Sequence, residues 1–232
     1  MKEAQIWHYK DLIVLTDPPG SDRPDAVFSL CPENLLFAEY LRVPKGATVL
    51  DVCTGSGFLA VVAARTASKV IAVDINPRAL CFARINAEMN GVQDRLELRL
   101  GNLFEPVRSL KFDCIISNPP FEPTPVGSTQ FLHSDGGPSG LSHTRRILNE
   151  AKDFLSEGGT LMVISYLADD YSVERQVGLV YGEVQVRKLG TAKRHFLSVV
   201  ERDSSTAEAS CPCRLGIYCI SARASSRGES GG

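Results

Sequence analysis

Apolar and polar positions between residues 46 and 165 follow two alternating periods. Short apolar runs bounded by turn residues read as strands: "ATVLDV" (47–52), "KVIAVDI" (69–75), "RLELRL" (95–100), "FDCIIS" (112–117) and "GTLMVIS" (159–165). The stretches between them have helical length and spacing. "GFLAVVAARTA" (57–67) is one, and "NPRALCFARINAEMNG" (76–91) is another, with Asn76 as N-cap, Pro77 at the first helical position and Gly91 near the C-terminal cap. Leu141, Thr144, Ile147, Leu148, Ala151, Phe154 and Leu155 recur at helical spacing, and Gly158-Gly159 is expected to close that helix. Strands alternating with helices predict a parallel, doubly wound sheet with right-handed crossovers.

The flanks are less regular. Residues 1–45 read as an N-terminal segment that caps the substrate, turn-rich over "TDPPGSDRPD" and helical over "CPENLLFAEYLRV", with Pro32 in its first turn. After Tyr166 the pattern predicts a helix around 169–179, strands at "EVQVRKL" and "RLGIYCI", and a long polar connection over 190–212. The main domain is drawn at 46–221 and a disordered tail at 222–232.

Composition adds exclusions. With 232 residues, 44% hydrophobic and 22% charged, the chain supports one α/β domain with a full core. A net charge of −2 creates no general attraction to nucleic acid or anionic membrane, and no segment is apolar enough to span a bilayer. A cytoplasmic location is the expectation. Seven cysteines, four of them inside apolar runs, read as reduced thiols. Cys211 and Cys213 form the only close pair, and no metal site is predicted.

Chemistry concentrates at the ends of the predicted strands. "VLDVCTGSG" places Asp51, Gly55 and Gly57 where the first strand gives way to a helix, a setting in which backbone amides can approach a ligand. Asp74 ends the next strand, where a carboxylate can take both hydroxyls of a ribose. At the end of "FDCIIS" come Asn118, Pro119, Pro120 and Phe121. The prolines stop the strand and stiffen the loop, but they do not explain an asparagine before them.

The order Asp-x-Cys-x-Gly-x-Gly, a strand ending in Asp, "GNLFEP" and "NPPF" resembles the class I S-adenosylmethionine-dependent methyltransferases over about Val27 to Tyr166. The resemblance implies a Rossmann-like α/β fold, a mostly parallel seven-stranded sheet with helices on both faces and the last strand antiparallel. It also implies that Asp51, Cys53, Thr54, Gly55 and Gly57 surround the methionine part of S-adenosyl-L-methionine, while Asp74 and Ile75 meet the ribose and Asn102 and Leu103 border the adenine, with Asn118 nearby. Cys53 stands where the family usually has its first glycine, and Asn102 where aspartate is common.

Asn/Asp-Pro-Pro-aromatic resembles the members that methylate planar nitrogens. The Asn118 side-chain oxygen and the Pro119 carbonyl can take the two N–H bonds of an amide or amino group, and Phe121 can stack on its plane. "HSDGGPSGLSHTRRIL" (133–148) resembles the segment that follows this motif in the release-factor glutamine methyltransferases, and its glycines read as a lid hinge. Glu122, His133 and Pro32 are candidate substrate contacts; His143 could also touch substrate, although surface histidines are more often solvated. The expected acceptor is a protein or peptide amide. A small-molecule acceptor or an RNA base is the alternative, and duplex DNA is not expected. The bacterial release-factor enzymes carry a helical domain before the catalytic one, and this chain has only about 48 residues there, so a different grip on the acceptor is expected.

Overall fold

Strands β3 (Thr48–Val52), β4 (Lys69–Asp74) and β6 (Phe112–Ser117) lie side by side at the centre of the computed structural model, which describes residues 4–124, 131–168, 181, 183–191 and 215–223. Their apolar runs are continuous because both faces are covered. Val70 and Ala72 pack with helices α1 (Pro32–Tyr40) and α2 (Phe58–Ala64) on one face. Ile71 and Val73 pack on the other, with Ile147 of helix α4 (Ser142–Glu150). The sheet has seven strands among the described residues, in the order β5 (Leu96–Leu100), β4, β3, β6, β7 (Leu155–Ala168), β9 (Leu215–Arg223), β8 (Glu183–Thr191). Pairings from β5 to β7 are parallel, and β9 is antiparallel to both its neighbours. The expected Rossmann-like sheet with an antiparallel last strand is therefore present.

Helix α3 (Pro77–Met89) starts as its sequence predicts: the Asn76 side chain accepts the Arg78 amide at 2.9 Å, with Pro77 next in line. Two boundaries differ from the pattern. Helix α4 ends at Glu150 and a 3-10 turn follows, so Gly158-Gly159 does not close it. Those glycines lie inside β7, where the register with β6 slips between Phe112–Leu155 and Cys114–Thr160. The slip brings Gly159 so near Phe112 that a Cβ would stand 3.0 Å from its carbonyl oxygen. Strand β9 runs to Arg223, so residues 222 and 223 pair in the sheet rather than starting a tail. The predicted helix at 169–179 and Cys211 and Cys213 fall outside the described residues, as does most of the 190–212 connection.

An N-terminal hairpin, which the pattern does not reveal, packs across α3. Strands β1 (Gln5–Tyr9) and β2 (Leu12–Thr16) meet at a two-residue turn, Lys10-Asp11. The free edge of β2 is completed by side chains rather than by another strand. Asn86 accepts the Leu15 amide at 2.7 Å and donates to its carbonyl at 2.9 Å. One turn on, Asn90 does the same for Ile13 at 3.0 and 2.7 Å. Asparagines spaced i, i+4 fall on one helix face, so they can serve alternate residues of a strand.

Candidate functional site

The C-terminal ends of β3, β4 and β6 meet at the point where strand order reverses, a crevice that α/β sheets use for ligands. Asp74 stands at its centre. Its Oδ2 accepts the Gly55 amide at 2.8 Å and its Oδ1 the Asn76 amide at 2.9 Å. Each carboxylate oxygen thus keeps lone-pair capacity for a further donor. Burial pushes the Asp74 pKa up, against the pull of those backbone amides. Asp51 lies deeper, fully buried within β3, and does not line the cavity. Its Oδ2 accepts the Thr54 hydroxyl at 2.6 Å, while its Oδ1 has no partner. Burial first, and the neighbouring Asp74 charge, raise its pKa to about 7, with Thr54 opposing.

The loop between these acids shows why glycine suits the position where this chain has Cys53. Cys53 has φ of 60°, in the left-handed region that glycine occupies without strain. Gly57 is constrained differently: a Cβ there would meet the Ala83 Cβ at 2.7 Å, so the loop can approach α3 only with glycine. Gly57 therefore shapes the loop and does not line the cavity.

Beside the loop, Ser117 ends β6 by donating its hydroxyl to the Val52 carbonyl at 2.7 Å, which ties that end to β3. Asn118 follows at the cavity wall, its Oδ1 buried and without a partner. No hydrogen bond among the described residues ends on the Pro119 carbonyl. The glycine-rich run is not a free hinge. Gly136 donates to the Glu122 carbonyl at 2.8 Å, Thr124 donates to the Gly137 carbonyl at 2.9 Å, and a Cβ on Gly140 would stand 2.6 Å from the Phe121 carbonyl oxygen. Residues 134–140 form a wall fastened to the loop that carries Phe121.

The cavity encloses about 330 Å³. Of the predicted site residues it brings together Cys53, Thr54, Gly55, Asp74, Ile75, Asn102, Leu103, Asn118, Pro119, Pro120, Phe121, Glu122 and His133. Pro32 is absent from the lining because it opens α1, and Leu30 and Asn34 on either side face the cavity instead. Sequence reasoning missed Ala26, Val27 and Phe28. They belong to the irregular segment, where no periodicity marks an inward face. Phe28 stacks on His133 at 5.0 Å between ring centres, Phe131 stacks on it at 5.3 Å, and His133 Nδ1 lies 3.2 Å from the Ala26 carbonyl. Leu132 adds a backbone bond to Pro24 at 3.2 Å, so the N-terminal segment closes this side. His143 also lines the cavity, with its Nδ1 buried and its ring beside Asp135. Burial lowers the pKa of both histidines and favours neutral rings.

These features suit S-adenosylmethionine: a carboxylate with spare lone pairs at a strand end, beside a backbone-lined loop, and a buried acceptor with no partner. A family model for the methyltransferase small domain matches residues 32–189. The chain is 38% identical over 135 residues to the release factor glutamine methyltransferase of Geobacter sulfurreducens, which covers 53% of this chain and 46% of that protein. It is 40% identical over 138 residues to the ribosomal protein uL3 glutamine methyltransferase of Bordetella pertussis, covering 55% and 46% respectively. The chain spans about half the length of the curated relatives it matches. Among solved structures, the 16S rRNA N2 G1207 methyltransferase of T. thermophilus with AdoMet and guanosine aligns over 96% of this chain and 50% of its own. Its TM-score is 0.60 at 18% identity, a likeness of fold.

Proposed function

The chain belongs to the methyltransferase small-domain family, with S-adenosylmethionine as cofactor, and from that premise we propose that it methylates a planar amide nitrogen, the side-chain amide of a glutamine in a protein or peptide. The observation that carries this reading is the buried Asn118 Oδ1, an acceptor without a partner in the cavity wall. Two relatives named for protein glutamine methylation, at 38% and 40% identity, support the choice of acceptor.

An amide nitrogen is a poor nucleophile because its lone pair is delocalised into the carbonyl. When bound, S-adenosylmethionine supplies an electrophilic methyl group on a sulfonium. The chain's own task is to hold the nitrogen. Asn118 Oδ1 and the Pro119 carbonyl each take one of its N–H bonds, which fixes the amide and stabilises the positive charge that develops at nitrogen. Phe121 offers a flat face for the amide plane. Asp74 takes the cofactor's ribose hydroxyls, and Ile75, Asn102 and Leu103 border its base. The methylated nitrogen is acidic enough to lose its proton to water, so no strong base is needed.

Asn118→Ala tests this directly. It is expected to lower kcat by about 10²–10³, the scale of losing one preorganised hydrogen-bonding group, with cofactor affinity kept within about fivefold by calorimetry. Wild-type turnover in that variant would remove Asn118 from the mechanism.

A further inference from the structure

A second space lies away from the strand ends. Helix α1 starts beside the cavity, which Leu30 and Asn34 line, and ends at Tyr40 near strands β8 and β9. Between that helix end, α2 and the strands β7, β9 and β8 the surface opens into a groove of about 780 Å³. No residue lines both spaces. The floor of the groove is apolar: Met162 of β7 and Cys219 of β9 are buried there, with Leu41 and Val62 beside them. Its rim is cationic. Arg42, Arg65, Arg187 and Arg223 line it, all exposed, and among the described residues no Asp or Glu does.

Two of these charges have a carboxylate at hand. Arg65 pairs with Asp11 at 2.5 Å, and Arg223 stands opposite Glu183 in the β8–β9 register. The other two do not. Arg42 Nη1 donates to the Glu39 and Leu41 carbonyls at 2.8 and 3.0 Å, which anchors the guanidinium at the end of α1. The Glu39 carboxylate is itself taken by Tyr9 and Lys10. Arg187 lies over the Tyr40 ring at 5.3 Å and stands beside Cys219 in the register. Both guanidiniums are thus held in place with no ion pair among the described residues. Fixed cations over an apolar floor are complementary to a chain that carries acids and apolar side chains together. A phosphate backbone would use the arginines but not the floor, and the aromatic ring in the lining, Tyr40, already has Arg187 over it. We propose that this groove docks an acidic, amphipathic segment of a partner protein, with carboxylates on Arg42 and Arg187 and apolar side chains over Met162 and Cys219. The groove is separate from the methyl-transfer cavity, so the proposal does not depend on which acceptor is methylated.

Fluorescence anisotropy of the full chain with the labelled peptide Asp-Leu-Glu-Ala-Leu-Asp-Glu-Leu tests it. Wild type is expected to bind the peptide, and Arg42→Gln combined with Arg187→Gln to weaken binding about tenfold, with S-adenosylmethionine affinity unchanged by calorimetry. Serine in place of every leucine in the peptide is expected to cost at least about tenfold on the wild-type protein. That arm needs no variant, so it decides the matter even where the double variant folds poorly. Absence of peptide binding, equal binding by the double variant, or equal binding of the serine peptide overturns the proposal. So does a labelled oligouridylate bound in preference to the peptide, which would assign the groove to nucleic acid. A wild type that sediments as a dimer, with a double variant that sediments as a monomer, would place a second copy of the chain there and overturn it as well.

Discussion

Asp51 and Asp74 sit on adjacent strands, and their carboxyls are held by different groups. Asp74 receives two backbone amides, whereas Asp51 has one hydroxyl on Oδ2 and nothing on Oδ1. The Asp51 pKa is raised from 3.8 to about 7, which links its ionisation to folding. Between those values the folded protein keeps a proton that the unfolded chain has released. The group's contribution to stability is therefore full below about pH 4, falls as pH rises, and is lost above about pH 7. Asp51→Asn is expected to match wild type in thermal melts near pH 4 and to exceed it near pH 8, by an amount on the order of a few kcal/mol. Parallel melting curves for the two proteins across that range would contradict the assignment. The motif marked Asp51 as a candidate site residue, but its depth beneath the cavity was not legible. The motif shows which residue follows the strand, while burial depends on what packs over the loop.

At the scale of elements, strands buried on both faces were legible because their apolar runs are uninterrupted and bounded by turn residues. The β1–β2 hairpin was not. Its turn, Lys10-Asp11, lacks the Asn-Gly or Asp-Gly signal, and Lys10 adopts φ of 54° without it. The edge of β2 is completed by two asparagines about 70 residues later in the chain, which no local window connects. Asn86 makes three hydrogen bonds there, two to Leu15 and one at 2.8 Å to the Ser56 carbonyl, and is fully buried. Asn86→Ala is expected to cost about 2–3 kcal/mol in denaturant unfolding, because it strands backbone groups that were paired. A loss below about 0.5 kcal/mol would mean that the hairpin does not depend on this dock. The Gly158-Gly159 pair misled for a related reason. Two glycines after a helical pattern signal a cap, but here they permit a register slip between β6 and β7.

At the scale of the molecule, the cavity draws on segments far apart in sequence: the loops after β3, β4, β5 and β6, the 132–135 wall, the start of α4 and the stretch at 26–34 that leads into α1. Those that follow strands could be found by motif, since a doubly wound sheet gathers the C-terminal ends of its strands at one edge. The remaining segments are placed by tertiary contacts. Phe28 faces His133 only because the N-terminal segment crosses α3, and His143 faces inward only because the glycine-rich wall fastens α4 to the Phe121 loop. What the sequence left open was therefore the acceptor side of the site. The acceptor bound on that side is identified by following the transferred methyl group. Purified protein is given tritiated S-adenosylmethionine and a cell lysate, and the product is fractionated and hydrolysed in acid. Methylation of a glutamine amide predicts label in the protein fraction that acid releases as tritiated methylammonium, volatile as methylamine once made alkaline, and its absence when Asn118→Ala replaces wild type. Label in RNA or in small molecules, or acid-stable label in protein, would mean that the acceptor is not a glutamine amide.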